Sequence, residues 1–324
     1  MRFMARCLAA FTFLFAVSAA QAQNAYPNRA IRILVPFAPG GVVDVTARIL
    51  AQKMTERLGW NIVVDNRPGG NGFIAVSGAA NSNPDGYTLL MAHSGEFAVN
   101  PAVFVKIIPY QLERDFAPIT MISDTAMLVV ANKDMPFNNI SEMVALAKAK
   151  PESVNFSSPG SGSVNHLAGE WLANVAGVKL NHIPYKGGAP AVAAVASGEV
   201  MTGVVAVPAA VPHLRSGKIK VLGLTTAERT PYDPSWSTAR EQGLQELDAS
   251  NWVGLFAPKG VPQPILDTLY KEVKQTLEDP SVKERFATAG AVTGGMPPAE
   301  FLARIKKDAD RFRQVVQDAN IQIN

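Results

Sequence analysis

Two clusters hold the side chains most able to do chemistry. Ser157-Ser158-Pro159-Gly160-Ser161-Gly162-Ser163 followed by His166 puts hydroxyls, glycines and an imidazole within ten positions. Pro36-Phe37-Ala38-Pro39-Gly40-Gly41-Val42-Val43 followed by Asp44 likewise sets its glycines just ahead of a helical apolar run. A serine beside a histidine could serve nucleophilic hydrolysis, using His166 with a serine of its own loop. A glycine-rich turn that enters a helix offers unpaired N–H groups at a positive dipole end, which suits an anion. Each cluster also has a plainer reading. Gly40 and Gly41 are what any tight turn needs, and Ser163 is a good N-cap. His166 either faces a cleft or bonds Glu170 at i+4 inside the protein. Asp44 suits the first turn of a helix as a complement to its dipole rather than as a contact to an anionic ligand.

Further loops belong to the same set. Tyr185-Lys186-Gly187-Gly188-Ala189-Pro190 places proline where a helix tolerates it, in the first turn. His93-Ser94-Gly95-Glu96 closes a strand pattern where a fourth ligand-facing loop is expected. No G-x-S-x-G elbow, H-E-x-x-H or Walker sequence is present, and the four histidines show no metal spacing. The pattern favours binding over catalysis, with no metal or cofactor implied.

The elements that position these loops are set by periodicity. Ile31–Val35, Asn61–Val64 and Tyr87–Met91 read as strands. Between them Ala47, Leu50, Ala51, Met54 and Leu58 line one helix face, stopped by Gly59. The pattern restarts with a strand at Ala126–Ala131, a helix capped by Ser141 and ended by Pro151, and a strand at Val154–Phe156. Next comes a helix with Leu167, Trp171 and Leu172 on its apolar face. Further strands fit Leu180–Tyr185, Thr202–Val207, Lys220–Thr225 and Asn251–Phe256. Two helices, Ile265–Leu277 and about 299–317, close the chain. Alternating strands and helices predict α/β architecture with mainly parallel sheets. Two loop sets more than a hundred residues apart suggest two lobes around one anionic ligand. The expected division is 23–124 with 251–324 for one lobe and 125–250 for the other, with hinges near Asp124 and Asn251.

The first residues set the expected compartment. Arg2 and Arg6 precede an apolar run of 11 residues, Cys7–Val17, and Ala20-Gln21-Ala22 is a small-x-small cleavage signature. Residues 1–22 therefore read as a cleavable signal peptide, too short to span a membrane. Its removal takes the only cysteine, which excludes disulfides, and lowers the net charge from +3 to +1. So weak a positive charge is no footprint for nucleic acid.

The run from Tyr26-Pro27 through PFAPGG and Asp44, VVDNRPGG, PDGYTLLM, Asn100-Pro101, DFAPIT, SSPGSGS with His166 and Glu170, PYKGG with Pro190, and Ser216-Gly217-Lys218 resembles the tripartite tricarboxylate transporter receptors. These are the Bug or TctC-like extracytoplasmic solute-binding proteins, and the resemblance covers nearly the whole chain after the leader. It implies a periplasmic solute-binding fold, type II-like, with two lobes and a hinged cleft. It also implies a monomer that hands a small carboxylate to integral membrane permease subunits. Such pockets hold the carboxylate largely through backbone amides and water. The expected ligand contacts are Pro39, Gly40, Gly41, Val42 and Val43; Ser94, Gly95 and Glu96; Ser158, Pro159, Gly160, Ser161, Gly162, Ser163 and His166; and Tyr185, Gly187, Ala189 and Val205.

Two departures bear on the ligand. Glu96 and Phe97 stand where relatives often have threonine and histidine. Gly198-Glu199-Val200-Met201 and Val204-Val205-Ala206 replace a pattern that often carries two aspartates and a phenylalanine. The second change disfavours an amino acid and favours a less polar acid, aliphatic or aromatic. Glu96 pulls the other way, because it repels an anion unless it is protonated or turned outward. A sensor feeding a two-component system shares this fold and pocket and stands as an alternative, as does a secreted hydrolase.

Overall fold

The computed structural model describes residues 26–321; the leader at 1–22 lies outside the described residues. The chain begins β1 (Ile31–Val35), α1 (Val42–Leu58), β2 (Ile62–Asn66), α2 (Phe73–Ala80), β3 (Thr88–His93), two short helices α3 (Asn100–Val103) and α4 (Leu112–Asp115), and β4 (Phe116–Asn132). It continues α5 (Ile140–Ala149), β5 (Asn155–Ser158), α6 (Val164–Ala176), β6 (Asn181–Pro184), α7 (Gly188–Ser197), β7 (Thr202–Ala206), α8 (Val207–Arg215) and β8 (Ile219–Leu224). It closes with β9 (Ser250–Pro258), α9 (Gln263–Glu278), α10 (Pro280–Thr288), β10 (Ala291–Thr293) and α11 (Pro298–Asp318).

One sheet runs in the order β2-β1-β3-β9-β4-β7-β5-β6, with β8 and β10 also on β4. Its two flanks are parallel: β1 with β2 and β3, and β5 with β6 and β7. The centre is antiparallel and turns on β4, whose 17 residues serve both halves. Phe116–Ala126 pairs with β9, while Met127–Asn132 pairs with β7 and β8. Pro118 is accommodated next to a register shift, where a missing N–H costs the ladder little. This is why the strand extends ten residues upstream of its apolar segment at Ala126.

Period two is visible in β1. Ile31, Ile33 and Val35 pack with Ala47, Leu50 and Met54 of α1, whereas Leu34 points into the opposite core. α1 stops as its sequence predicts, with Gly59 in the left-handed region (φ 69°) and its N–H on the Thr55 carbonyl. The start of α5 differs from expectation. Asn139, not Ser141, is the cap: its Oδ1 accepts the Glu142 N–H (2.8 Å), and Glu142 reaches back to the Asn138 N–H (2.7 Å). Ser141 instead donates to the Gln242 carbonyl (3.0 Å).

Where β4 meets β9, Asp124 lies opposite Trp252 and Thr125 opposite Asn251. α11 packs over this crossing. Its Arg304 donates to Asp308 Oδ2 (2.9 Å) and Ser250 Oγ (3.0 Å) and lies 3.7 Å from Asp124, while Trp252 Nε1 donates to Asp308 (2.8 Å). Further along, Phe312 meets Trp171 of α6 edge-on at 6.2 Å. One helix thus ties the late chain to both sides of the crossing. Among the described residues no helix is long and apolar enough to cross a membrane.

Candidate functional site

Three helices, α1, α6 and α7, begin on one cavity of about 680 Å³, a size usual for small-molecule sites. Of the expected contacts, Gly40–Val43, Gly95, Glu96, Pro159–Ser163, Gly187 and Ala189 line it. Pro39, Ser94, Ser158, His166, Tyr185 and Val205 are not among its lining residues.

The geometry corrects which amides are free. Gly40 N–H donates to Asp44 Oδ2 (2.9 Å), Gly160 N–H to Ser158 Oγ (3.2 Å) and Gly162 N–H to His166 Nδ1 (3.1 Å). Gly187 N–H goes to the Pro159 carbonyl (2.9 Å). The glycines therefore shape the turns but spend their own donors inside them. The orphan donors lie one step further on, in the first turn of each helix: Val42 and Val43, Val164 and Asn165, Gly188 and Ala189. Among the described residues none of these six N–H groups has a protein acceptor, and all six residues line the cavity. Gly41 and Gly187 cap α1 and α7 without any side-chain bond, which leaves those termini open. Ser163 does cap α6, its Oγ accepting the His166 N–H (3.1 Å).

The excluded residues hold the loops from behind. Asp44 is buried and also accepts from Arg48 Nε (3.0 Å) and Asn66 Nδ2 (2.9 Å). Burial pushes its carboxyl up, but the bonds from Arg48, Gly40 and Asn66 outweigh this and hold it below the ordinary range. His166 is buried: its Nδ1 supports Gly162 and its Nε2 lies 3.6 Å from Glu170, so the inward alternative is the one realised. Its ring stacks on His182 at 3.7 Å. Burial, then the neighbouring His166, lowers His182 to about 3, so it stays neutral. His182 Nε2 pairs with Ser158 Oγ at 2.7 Å, and Ser158 is fully buried beneath the loop, out of reach of a substrate.

The remaining displacements have simple causes. Ser94 is buried and donates to Asn251 Oδ1 (3.1 Å). Tyr185 turns its hydroxyl to Glu199 (2.7 Å). Val205 points into the core with Val192 and Leu224, and strand alternation gives the cavity its neighbour Ala206 instead. Pro39 sits exposed on the outer edge of its turn.

The opposite wall is mixed. Phe37, Phe104, Pro208 and Ala209 are its apolar part, and Asn71, His93, Asn100 and Asn251 its polar part. Glu96 is neither turned outward nor left bare. Its Oε2 accepts the His93 N–H (2.8 Å) and lies 2.8 Å from His93 Nδ1. Burial opposes the charged imidazole, yet the charge and hydrogen bond of Glu96 outweigh it and raise the His93 pKa. His93 belongs to the loop expected to face a ligand, and its ring is held there by a close approach: a Cβ on Gly95 would collide with it. The asparagines carry no spacing signal at all.

Comparison with known proteins bears on the whole arrangement. The sequence model described as "Tripartite tricarboxylate transporter family receptor" matches residues 46–321. Protein BugT of Bordetella pertussis is 33% identical over 323 residues, covering 99% of both chains. The Rhodopseudomonas palustris protein Rpa4515, solved with adipate, is 31% identical with a TM-score of 0.80, covering 92% of this chain and 99% of that one. MatC from the same organism, solved with malate, is 31% identical with a TM-score of 0.75, covering 90% and 100%. Match length and identity leave one assignment: the chain belongs to the tripartite tricarboxylate transporter receptor family, with the two-lobed α/β fold of periplasmic binding proteins.

Proposed function

We propose that this protein, exported to the periplasm by residues 1–22, captures a small carboxylate between its lobes and delivers it to the membrane permease subunits of a tripartite transporter. The observation that carries this reading is the set of six unpaired first-turn N–H groups facing one cavity. A helix terminus contributes about 0.3–1 kcal/mol to an exposed anion and up to about 2 when partly buried. Three termini give about 1–6 kcal/mol, short of the roughly 8 needed for micromolar affinity. Charge-assisted N–H bonds and burial of the ligand's carbon skeleton against Phe37, Phe104 and Pro208 supply the rest. The adipate and malate held by two relatives fit this chemistry.

Delivery requires that the bound state differ in shape from the free one. The Gly40–Val43 turn precedes β4 and the Gly160–Asn165 turn comes after it, so contacts made to one ligand from both sides favour closure about the β4–β9 crossing. The lobes proposed are 23–124 with 251–324, and 125–250, the protein acting as a monomer. Calorimetry with purified protein tests the carboxylate requirement. Acids should bind with one-to-one stoichiometry and their methyl esters should not; equal binding of ester and acid contradicts the reading.

A further inference from the structure

Beyond the amide cradle the cavity holds a pair that the carboxylate does not use, Glu96 buried and His93 partly so. Glu96 is 1% exposed and lines the wall, with Oε2 bound to the His93 backbone. Among the described residues its Oε1 has no hydrogen-bond partner, and neither does His93 Nε2. Two missing side chains make room for them. A Cβ on Gly72 would lie 2.8 Å from Glu96 Oε1, and a Cβ on Gly95 would overlap the His93 ring. The imidazole is also braced by Phe37, ring to ring at 4.7 Å. Such packing leaves neither side chain free to swing away.

We infer that Glu96 and His93 form a second binding pole, which receives a hydroxyl at the ligand's far end and rejects a second carboxylate there. This rests on the carboxylate reading of the amide cradle. Glu96 Oε1 can only accept when ionised, so its partner must donate. His93 Nε2 donates when the ring is charged, and also in the neutral ring whose Nδ1 accepts the Gly95 N–H (2.9 Å); it accepts only when Nδ1 alone carries the proton. A hydroxyl does both and satisfies either state. A carboxylate accepts only, so it pairs with an Nε2–H at best and faces the charge of the buried Glu96, where repulsion is weakly screened. An alkyl or unsubstituted aryl end leaves Glu96 Oε1 desolvated and unpaired, which also costs affinity. The ligand class is therefore a hydroxy monocarboxylate whose apolar body spans the Phe37 and Phe104 part of the wall.

Two matched series test this by calorimetry: hexanoate, 6-hydroxyhexanoate and adipate, and benzoate, 4-hydroxybenzoate and terephthalate. In the series whose length fits, the hydroxy acid should bind about tenfold or more tighter than both companions. Glu96→Gln should bring the diacid to within about threefold of the hydroxy acid, since the repulsive charge is gone. Should Glu96→Gln fail to fold, the wild-type ranking decides alone. A wild-type ranking with the diacid or the unsubstituted acid first, or a flat one, overturns the second pole and leaves the carboxylate reading standing. Binding by none of the acids overturns both.

Discussion

The Asp44 carboxylate accepts the Gly40 N–H at 2.9 Å, so the protein's own anion fills the amide that the glycine turn offers. The same displacement recurs across the cavity, where His166 takes the Gly162 N–H at 3.1 Å. In both loops a side chain four residues on, from the first turn of the helix, fixes the turn, and among the described residues the helix's leading amides are left without a protein acceptor.

Replacing Asp44 by asparagine should cost about 1–2 kcal/mol at pH 7, because the bonds to Arg48 and Gly40 lose their charge. The folded carboxyl titrates below its ordinary value of 3.8, so its stabilisation is complete above that pH and is lost as pH falls below it. Urea unfolding at pH 7 and pH 3 should show a smaller wild-type-to-variant difference at pH 3. An equal difference at both would place the stabilisation elsewhere.

The stacked histidines predict a second acid sensitivity. His182 titrates at about 3 when folded against an ordinary 6.5, so the unfolded chain binds the extra proton between those values. Stability should fall as pH drops from 6.5 toward 3, and His182→Asn should flatten that slope. The imidazole resonances of His182, followed by NMR, should stay in their neutral positions down to pH 4.5.

Much of this was legible in the residues. The apolar spacing of Ala47, Leu50 and Met54 and the stop at Gly59 give α1 its face and its end, because local propensity and burial agree there. Glycine turns before α1, α6 and α7 mark the cavity for the same reason: each needs a strand-to-helix reversal. Donor identity was not legible, since it depends on whether Asp44 or His166 folds back onto its own loop. Nor was the place of Asn71 and Asn251 on the cavity wall, which comes from long-range packing rather than spacing. The long β4 escaped because Pro118 interrupts its pattern, and α10 because it is only nine residues on a mostly polar surface.

Phe312 carries the contact between α11 and α6. It is 3% exposed and meets Trp171, over which the Arg311 guanidinium also sits at 5.1 Å. Phe312→Ala should destabilise the protein by about 3–5 kcal/mol. Differential scanning calorimetry would detect this as a lowered melting temperature, and an unchanged one would mean that α11 is held by the Arg304 cluster alone.

The cradle itself is tested by removing a single hydrogen. Val42 and Val164 are the first residues of their helices, preceded by Gly41 (φ −74°, ψ 165°) and Ser163 (φ −73°, ψ 157°). Both preceding conformations suit a following proline, and proline at a first helical position is tolerated. Val42→Pro and Val164→Pro therefore delete one donor each, with Val42→Ala and Val164→Ala as controls that shorten the side chain and keep it. The measurement is the dissociation constant of a bound monocarboxylate. Each proline variant should bind about tenfold or more weakly than its alanine control, with melting temperatures within about 4 °C of that control. Proline variants that bind as tightly as their alanine controls would contradict a carboxylate held by first-turn amides.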